Sequence, residues 1–190
     1  MLKFENVTFS YGEKTILRNF SFELKKGEVV ALMGASGIGK STVLNLAAGF
    51  CKPQEGKIIR SAERISYAFQ EPRLFPWLNV LENVNAVLAA NKTTKEDALK
   101  ALDLVALSDS AALFPAELSG GMKSRVSLAR AIAYNGDLFL LDEPFAALDE
   151  ELRHRLAGEI LDHIRKCGAS CLIVTHQRED AELADRIITL

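Results

Sequence analysis

Apolar residues recur among polar ones through the opening of the chain, in the spacing of half-buried β-strands. The first set precedes a turn at Gly12, and the second ends at a turn formed by Lys26 and Gly27. The pattern predicts an N-terminal antiparallel β region. The apolar residues that carry it are Phe4, Val7, Phe9, Ile16, Phe20, Phe22 and Leu24.

Further along, short apolar runs alternate with segments of helical spacing. The run at 29–33 is unbroken, as in a strand buried on both faces of a parallel sheet. Strands that alternate with helices predict an α/β fold whose mostly parallel sheet is covered on both faces. We predict strands at 29–33, 58–60, 65–69, 138–141, 171–175 and 186–190, and helices at 41–48, 119–134, 150–166 and 178–184.

Residues 71–117 differ in character, because two segments of helical spacing, 78–90 and 95–107, follow each other with no strand pattern between them. Pro72, Pro76 and Pro115 mark the joints. We therefore predict one domain over residues 1–190, with a core of residues 1–70 and 118–190 and an inserted α-helical subdomain at 71–117.

Composition and charge narrow the class of protein. The net charge of −2 argues against a dedicated nucleic-acid binder, which is usually basic. Cys51, Cys167 and Cys171 lack the spacing of a disulfide framework or a zinc site, which fits a reducing, cytosolic compartment. The opening lacks the apolar core of a signal peptide, and no run reaches the length of a membrane span. A membrane role is therefore expected only through a partner.

A glycine-rich segment joins the strand predicted at 29–33 to the helix that follows it. Such a loop turns backbone N–H groups around phosphate oxygens, while its lysine reaches the β and γ phosphates and its serine helps to hold Mg²⁺. The alternative, a glycine-rich turn without a ligand, fits the strand–loop–helix context less well. The segment, which matches G-x-x-x-x-G-K-[ST] at every defined position, is Gly34-Ala35-Ser36-Gly37-Ile38-Gly39-Lys40-Ser41, followed by Thr42.

Two carboxylates, Asp142 and Glu143, follow the apolar run 138–141. A strand of this type carries its acidic end to the ligand-binding edge of the sheet. There Asp142 would hold Mg²⁺ and Glu143 would orient the attacking water. The alternative is an ordinary buried strand with solvated acids beyond it.

At this point the chain resembles the ATP-binding subunit of ABC transporters over nearly all of its length. Leu118-Ser119-Gly120-Gly121 matches the core of the family signature, and Ala147-Leu148-Asp149 matches its D-loop. Gln70 matches the glutamine loop, His176 the switch histidine, and Tyr11 the aromatic residue that stacks on adenine. Together with the phosphate loop and the acidic strand, the resemblance implies a P-loop NTPase that hydrolyses ATP with Mg²⁺.

The resemblance also implies a role for each motif. Ser119, Gly120 and Gly121 open a helix and form a second anion site, which in this family acts across a head-to-tail dimer interface on ATP held by the other copy. Asp149 bridges the two copies, and Gln70 contacts Mg²⁺ or water. His176 contacts the γ-phosphate. Without the family pattern, a lone histidine is more often a surface or core residue and Tyr11 more often a core residue.

The chain departs from the family pattern in two places. Met122 stands where many members have glutamine, and we interpret it as a subgroup mark because some importer ATPases carry methionine there. Family members usually continue beyond the strand predicted at 186–190. Two alternatives remain open, a compact cassette without a regulatory domain or a missing C-terminal piece, and either leaves a sheet edge exposed.

Four parts of the chain resemble the nitrate, sulfonate and taurine importer subgroup: the segment 69–80, residues 115–117 before the signature, Met122, and the segment 142–149. The resemblance implies two ATPase copies on the cytoplasmic face of the inner membrane, a separate permease, a solute-binding protein that acts indirectly, and no nucleic-acid partner. Phe75, Pro76, Trp77 and Leu78 would receive a helix of the permease, unless they form subdomain core. The alternative functions are a soluble ABC ATPase, a regulatory module without turnover, and an exporter subunit.

Overall fold

A computed structural model describes residues 1–87 and 94–190. Its strands are β1 (Leu2–Tyr11), β2 (Lys14–Leu24), β3 (Val29–Met33), β4 (Glu55–Arg60), β5 (Ile65–Ala68), β6 (Leu138–Asp142), β7 (Ser170–Val174) and β8 (Arg186–Thr189). Its α-helices are α1 (Lys40–Ala48), α2 (Val80–Asn85), α3 (Lys95–Leu104), α4 (Gly120–Tyr134), α5 (Glu150–Lys166) and α6 (Arg178–Glu182). Single 3-10 turns cover Ser108–Ser110 and Pro115–Glu117.

The central sheet has five strands in the order β5-β6-β7-β3-β8, and every neighbouring pair is parallel. The predicted parallel sheet is therefore confirmed. Its register places Val174 opposite Leu32 on one side and opposite Asp142 on the other. Since parallel strands end at the same edge, the segments that leave β3, β6 and β7 meet there.

The N-terminal β region forms a separate antiparallel sheet in the order β2-β1-β4, as predicted. The hairpin of β1 and β2 closes at the pair Tyr11 and Lys14, with Gly12 at φ 57° in the turn. Tyr11 thus lies at the tip of the hairpin. The strand predicted at 58–60 is longer than expected, because Glu55 already pairs with Thr8 of β1.

Alternate residues of the parallel sheet enter two apolar cores, one on each face. Val29 and Ala31 of β3 pack into the first core, while Val30 and Leu32 pack into the second. The first core includes residues of α2 to α6, and the second includes α1 and the antiparallel sheet. Burial on both faces explains why these strands read as unbroken apolar runs.

The helices of the stretch 71–117 are shorter than predicted. Helix α2 begins after Asn79, whose side chain accepts from the Glu82 N–H in a reciprocal capping box, and the part of the prediction at 88–90 lies outside the described residues. Helix α3 ends at Leu104 rather than 107, because Ala106 adopts φ 53°. The described residues of 71–117 contain helices and no strand. The division of the chain at residues 71 and 117 stays a prediction.

Other predicted boundaries move by one or two residues. Strand β7 runs from Ser170 to Val174 because Thr175 turns its side chain toward α6. Helix α6 ends at Glu182, two residues before the predicted end. Among the described residues, β8 lies at one edge of the parallel sheet and its side chains are mostly exposed. No helix within residues 1–87 and 94–190 has both the length and the apolar character that crossing a membrane requires.

Candidate functional site

The loop between β3 and α1 contains a glycine at a position where a side chain would be strained. Gly39 has φ 121°, and a Cβ built on it would lie 2.4 Å from Ile16 Cγ2. The next residue, Lys40, is buried, and its ammonium donates to the carbonyls of Gly34 (2.8 Å) and Ala35 (3.0 Å). The loop therefore wraps around a lysine charge that its own backbone holds in place.

Helix α1 points its N-terminus into this loop. Gly39 is the N-cap and has no side chain with which to cap the first-turn amides, and no acidic residue lies in that turn. Unsatisfied N–H groups at a helix start attract anions. They face a cleft of about 260 Å³. Its lining residues are Tyr11, Ile16, Ser36, Gly37, Gly39, Lys40, Ser41, Thr42, Gln70 and Glu143.

Tyr11 borders this cleft from the hairpin of the antiparallel sheet. Its ring is half exposed and meets Phe9 edge to face, with ring centroids 4.8 Å apart. A partly exposed aromatic face that is braced from one side can stack on a planar base. The structure thus places Tyr11 where the sequence predicted it, beside the phosphate loop.

Asp142 ends β6 next to the start of α1. The residue is 5% exposed, and Oδ1 has no hydrogen-bond partner among the described residues. Burial raises the pKa of this carboxyl above its usual range, and Glu143 adds to the effect. With Ser41 and Gln70, Asp142 lines a second cleft of about 410 Å³. These oxygen donors suit Mg²⁺, and an unpartnered buried carboxylate oxygen is what a bound cation would satisfy.

Glu143 and His176 lie in contact at the same edge of the sheet. Glu143 adopts φ 47°, rare for a residue with a side chain, and its N–H donates to the carbonyl of Val174 (2.9 Å). Its Oε2 lies 3.3 Å from His176 Nδ1. Strained backbone of this kind concentrates at functional sites. The arrangement pairs a carboxylate with an imidazole beside the phosphate loop.

The signature and D-loop residues lie apart from this group. Among the described residues, Ser119, Gly120, Gly121 and Asp149 line neither cleft. Ser119 caps α4 by accepting from the Met122 N–H at 3.2 Å, and Asp149 caps α5 through the Leu152 N–H. The structure therefore gathers the other predicted site residues and leaves these four at a separate surface.

Gly121 holds the signature helix close to the D-loop. A Cβ on Gly121 would lie 2.7 Å from the carbonyl oxygen of Ala147. Because a side chain at this position would meet that carbonyl, glycine permits the close approach of α4 to the segment before α5. Signature and D-loop are thus neighbours in space.

Two arginines of α4 bind backbone carbonyls. Arg130 donates to the carbonyls of Pro72 and Arg73, directly beyond Gln70. Arg125 donates to the carbonyls of Val105 and Ala106 at the end of α3. The sequence signal was two basic positions on a half-buried helix. Both side chains tie α4 to the helical stretch.

Sequence reasoning missed Asn83. This residue is fully buried in α2, and its amide nitrogen faces the carbonyls of Phe75, Leu78 and Asn79 at 2.8–3.1 Å. Its Oδ1 accepts from the Phe75 N–H. One side chain therefore holds the segment 75–79, on which Trp77 is 69% exposed. A polar residue within an otherwise apolar helical face was the available signal.

Comparison with known proteins gives the same family throughout. The ABC transporter family profile matches residues 17–146. The chain is 41% identical to the aliphatic sulfonates import ATP-binding protein SsuB 1 of Agrobacterium fabrum, covering 98% of this chain and 70% of that protein. It is 39% identical to the Fe(3+) ions import ATP-binding protein FbpC of Haemophilus influenzae. It is 38% identical to the spermidine/putrescine import ATP-binding protein PotA of Pasteurella multocida.

The match to the iron and polyamine relatives covers 98% and 100% of this chain but only 59% and 55% of those proteins. Among solved structures, a dimeric ATP-binding cassette in a post-hydrolysis state, bound to ADP and Pi, superposes with a TM-score of 0.91 at 32% identity. That match covers 100% of this chain and 94% of the cassette. The predicted fold, a P-loop NTPase with a mostly parallel sheet, is confirmed. The chain belongs to the ABC transporter family, as an ATP-binding cassette.

Proposed function

We propose that this chain is the ATP-hydrolysing subunit of an ABC importer, in which two copies enclose two molecules of ATP with Mg²⁺. The observation that carries the proposal is the meeting of three elements at one sheet edge. They are the loop around Lys40, the buried and unpartnered Oδ1 of Asp142, and the contact of Glu143 with His176. Together they provide a loop that binds phosphate, a ligand for a metal ion and a carboxylate that can polarise the attacking water.

Each side chain has a task in this scheme. Lys40 and the first-turn amides of α1 bind the β and γ phosphates. Glu143 orients and polarises the attacking water, and His176 contacts the γ-phosphate. Tyr11 stacks on the adenine. Ser41, Gln70 and Asp142 would hold Mg²⁺, which when bound neutralises charge on the phosphate oxygens.

The second copy completes the site in this proposal. Ser119, Gly120 and Gly121 lie away from the chain's own phosphate loop and open a helix that can accept an anion. In a head-to-tail pair, each copy would present this helix start to ATP bound by the other. Asp149 would bridge the two copies close to this helix start, since Gly121 holds the signature beside the D-loop.

The membrane partner is a separate permease that contacts the segment 75–78. Trp77 and Phe75 are exposed aromatics with ring centroids 5.6 Å apart. The segment follows Gln70 closely, so a helix of the permease bound there would respond to nucleotide through the glutamine loop. The chain would then lie on the cytoplasmic face of the inner membrane as a peripheral subunit, with residues 71–117 as its helical subdomain.

The transported solute in this proposal is a small anion such as a sulfonate or nitrate. Its support is the resemblance of the segment 69–80 to that subgroup and the 40–41% identity with sulfonate import proteins. The iron and polyamine relatives show that similar cassettes serve different solutes. A solute-binding protein would act indirectly, through the permease. The importer relatives favour this function over a soluble ABC ATPase or an exporter subunit.

The test is the mass in solution of Glu143→Gln with and without ATP and Mg²⁺, measured by light scattering. With hydrolysis blocked, ATP should convert a monomer into a dimer. Lys40→Ala, which should lose ATP, serves as the control and should stay monomeric. A Glu143→Gln protein that binds ATP and remains a monomer would contradict the two-copy site.

A further inference from the structure

A carboxylate outside the proposed active site is buried in the helix that follows His176. Asp180, in α6, is 2% exposed. Its Oδ2 accepts a hydrogen bond from the Thr175 hydroxyl at 3.3 Å, and its Oδ1 lies 3.6 Å from Arg153 Nε. A charge or polar group buried this deeply is costly unless its partners are fixed. Thr175 provides a hydrogen bond, and Arg153 provides an ion pair in which Nε makes no hydrogen bond among the described residues.

The hydrogen bonds of Thr175 fix the backbone beside His176. The Thr175 hydroxyl oxygen accepts from the Gln177 N–H at 3.0 Å while its proton is donated to Asp180. The Thr175 N–H itself donates to the carbonyl of Leu32 in β3. The residues before and after His176 are therefore both anchored. The ring between them faces Glu143 through Nδ1, and its Nε2 lies 3.1 Å from Gln177 Nε2.

Arg153, the other partner of Asp180, lies in α5, the helix that starts at the D-loop. The Arg153 N–H donates to the carbonyl of Asp149 at 2.9 Å, one turn from the cap of α5. Its side chain is 14% exposed and also binds Glu179 at 2.8 Å, on the exposed side of α6. A continuous series of contacts thus runs from Asp149 through Arg153, Asp180 and Thr175 to the backbone at His176.

We propose that Asp180 and Arg153 are positioning residues that set the place of His176 relative to Glu143 and link it to the D-loop of the same chain. This inference rests on the proposed ATPase function. Neither residue lines the two clefts beside the phosphate loop. Because Asp149 lies at the surface assigned to the second copy, a shift of α5 on pairing would reach His176 through these contacts.

The first test measures hydrogen exchange of the backbone amides at 175–182 in the nucleotide-free chain. Thr175→Val keeps the shape of the side chain and removes the hydroxyl. Asp180→Asn weakens the group that accepts the hydrogen bond of the Thr175 hydroxyl. Both should speed exchange at Gln177 by roughly tenfold or more, because its N–H loses a fixed partner. Thr175→Ser should restore slow exchange. Glu179→Gln, which removes the negative charge that Arg153 contacts on the exposed side of α6, is the matched control and should leave exchange unchanged.

The second test measures steady-state ATP hydrolysis and equilibrium ATP binding of the same variants. Misplacement of His176 should lower kcat by roughly 10- to 100-fold, while KM and ATP affinity change little, since the loop around Lys40 is untouched. Thr175→Ser and Glu179→Gln should retain kcat. If Asp180→Asn fails to fold, Thr175→Val carries the test alone.

Unchanged exchange and unchanged kcat in Thr175→Val would overturn the inference. A loss of ATP binding in parallel with kcat would also overturn it, because a general structural role would then explain both. Failure of the proposed function has a different result. The unmutated chain would bind ATP without hydrolysing it, and the exchange measurement would still decide whether the Asp180 contacts fix the backbone at His176.

Discussion

The carboxylate of Glu143 and the imidazole of His176 lie 3.3 Å apart, from Oε2 to Nδ1, although they follow different strands of the sheet. The register of β6 and β7, which pairs Asp142 with Val174, produces this contact. The Glu143 N–H then bonds the carbonyl of Val174 and turns the side chain toward the imidazole. The pair is thus a product of sheet geometry.

Glu143→Gln should abolish most ATP hydrolysis while ATP binding is kept. The amide cannot act as a base toward water, and loss of a general base lowers kcat by roughly 100- to 10,000-fold. Phosphate release at saturating ATP and binding of a fluorescent ATP analogue measure the two effects. A variant that still hydrolyses ATP within about threefold of the unmutated rate would show that another group orients the water.

Gly39→Ala should lose both nucleotide binding and stability. The new Cβ would lie 2.4 Å from Ile16 Cγ2 at a backbone φ of 121°, so the loop must move. We expect a loss of about 1–3 kcal/mol in the free energy of unfolding, measured by urea denaturation, with weaker ATP binding.

Gly27→Ala is the matched control, since φ there is 75° but the added Cβ meets no atom of the described residues within 4 Å. It should cost about 1 kcal/mol and keep ATP binding. Equal effects of the two substitutions on ATP binding would show that close packing against Ile16 is unimportant to the loop.

The sequence predicted the elements of the fold well, because burial on both faces of the sheet leaves unbroken apolar runs and glycines mark their ends. It predicted the boundaries of α2 and α3 less well. Those ends depend on the Asn79 capping box and on the φ 53° of Ala106, neither of which periodicity records.

The site followed from motifs only where the chemistry is local. The loop around Lys40 could be predicted from one short segment of sequence, and so could the carboxylates at the end of β6. Asp180 and Asn83 could not, since their partners lie outside their own helices and come close only in the folded chain. These partners are the side chains of Thr175 and Arg153 for Asp180 and backbone groups of the segment 75–79 for Asn83. Buried polar residues within apolar helices are the signal that such contacts leave in a sequence.

Asp142→Asn should stabilise the nucleotide-free chain and remove its response to Mg²⁺. The carboxylate is buried with Oδ1 unpartnered among the described residues, so a neutral amide avoids the cost of burying a charge. The melting temperature without ligand should rise. Addition of Mg²⁺ to the variant with ATP should give no further rise in melting temperature. A lower melting temperature in the ligand-free variant would contradict this account of Asp142.

Asn83→Ala should destabilise the chain by about 1–3 kcal/mol. It leaves the Phe75 N–H and the carbonyl of Leu78 without the buried amide that they bond. Asn85→Ala on the same helix is the control. Its Oδ1 has no partner among the described residues, so its loss should cost under about 0.5 kcal/mol. Urea denaturation that ranks the two variants equally would show that Asn83 does not hold the segment 75–79.

Trp77→Ala should weaken permease binding and leave nucleotide binding intact. The ring is 69% exposed, so its removal disturbs little of the fold, and a central aromatic contact is worth about 2 kcal/mol, or roughly 30-fold in Kd. Binding to inside-out membrane vesicles that contain the permease measures the first effect, and a fluorescent ATP analogue measures the second. Phe114→Ala, another exposed aromatic of the helical stretch, should bind vesicles normally. Loss of nucleotide binding in Trp77→Ala, or equal loss of vesicle binding in both variants, would count against a permease surface at 75–78.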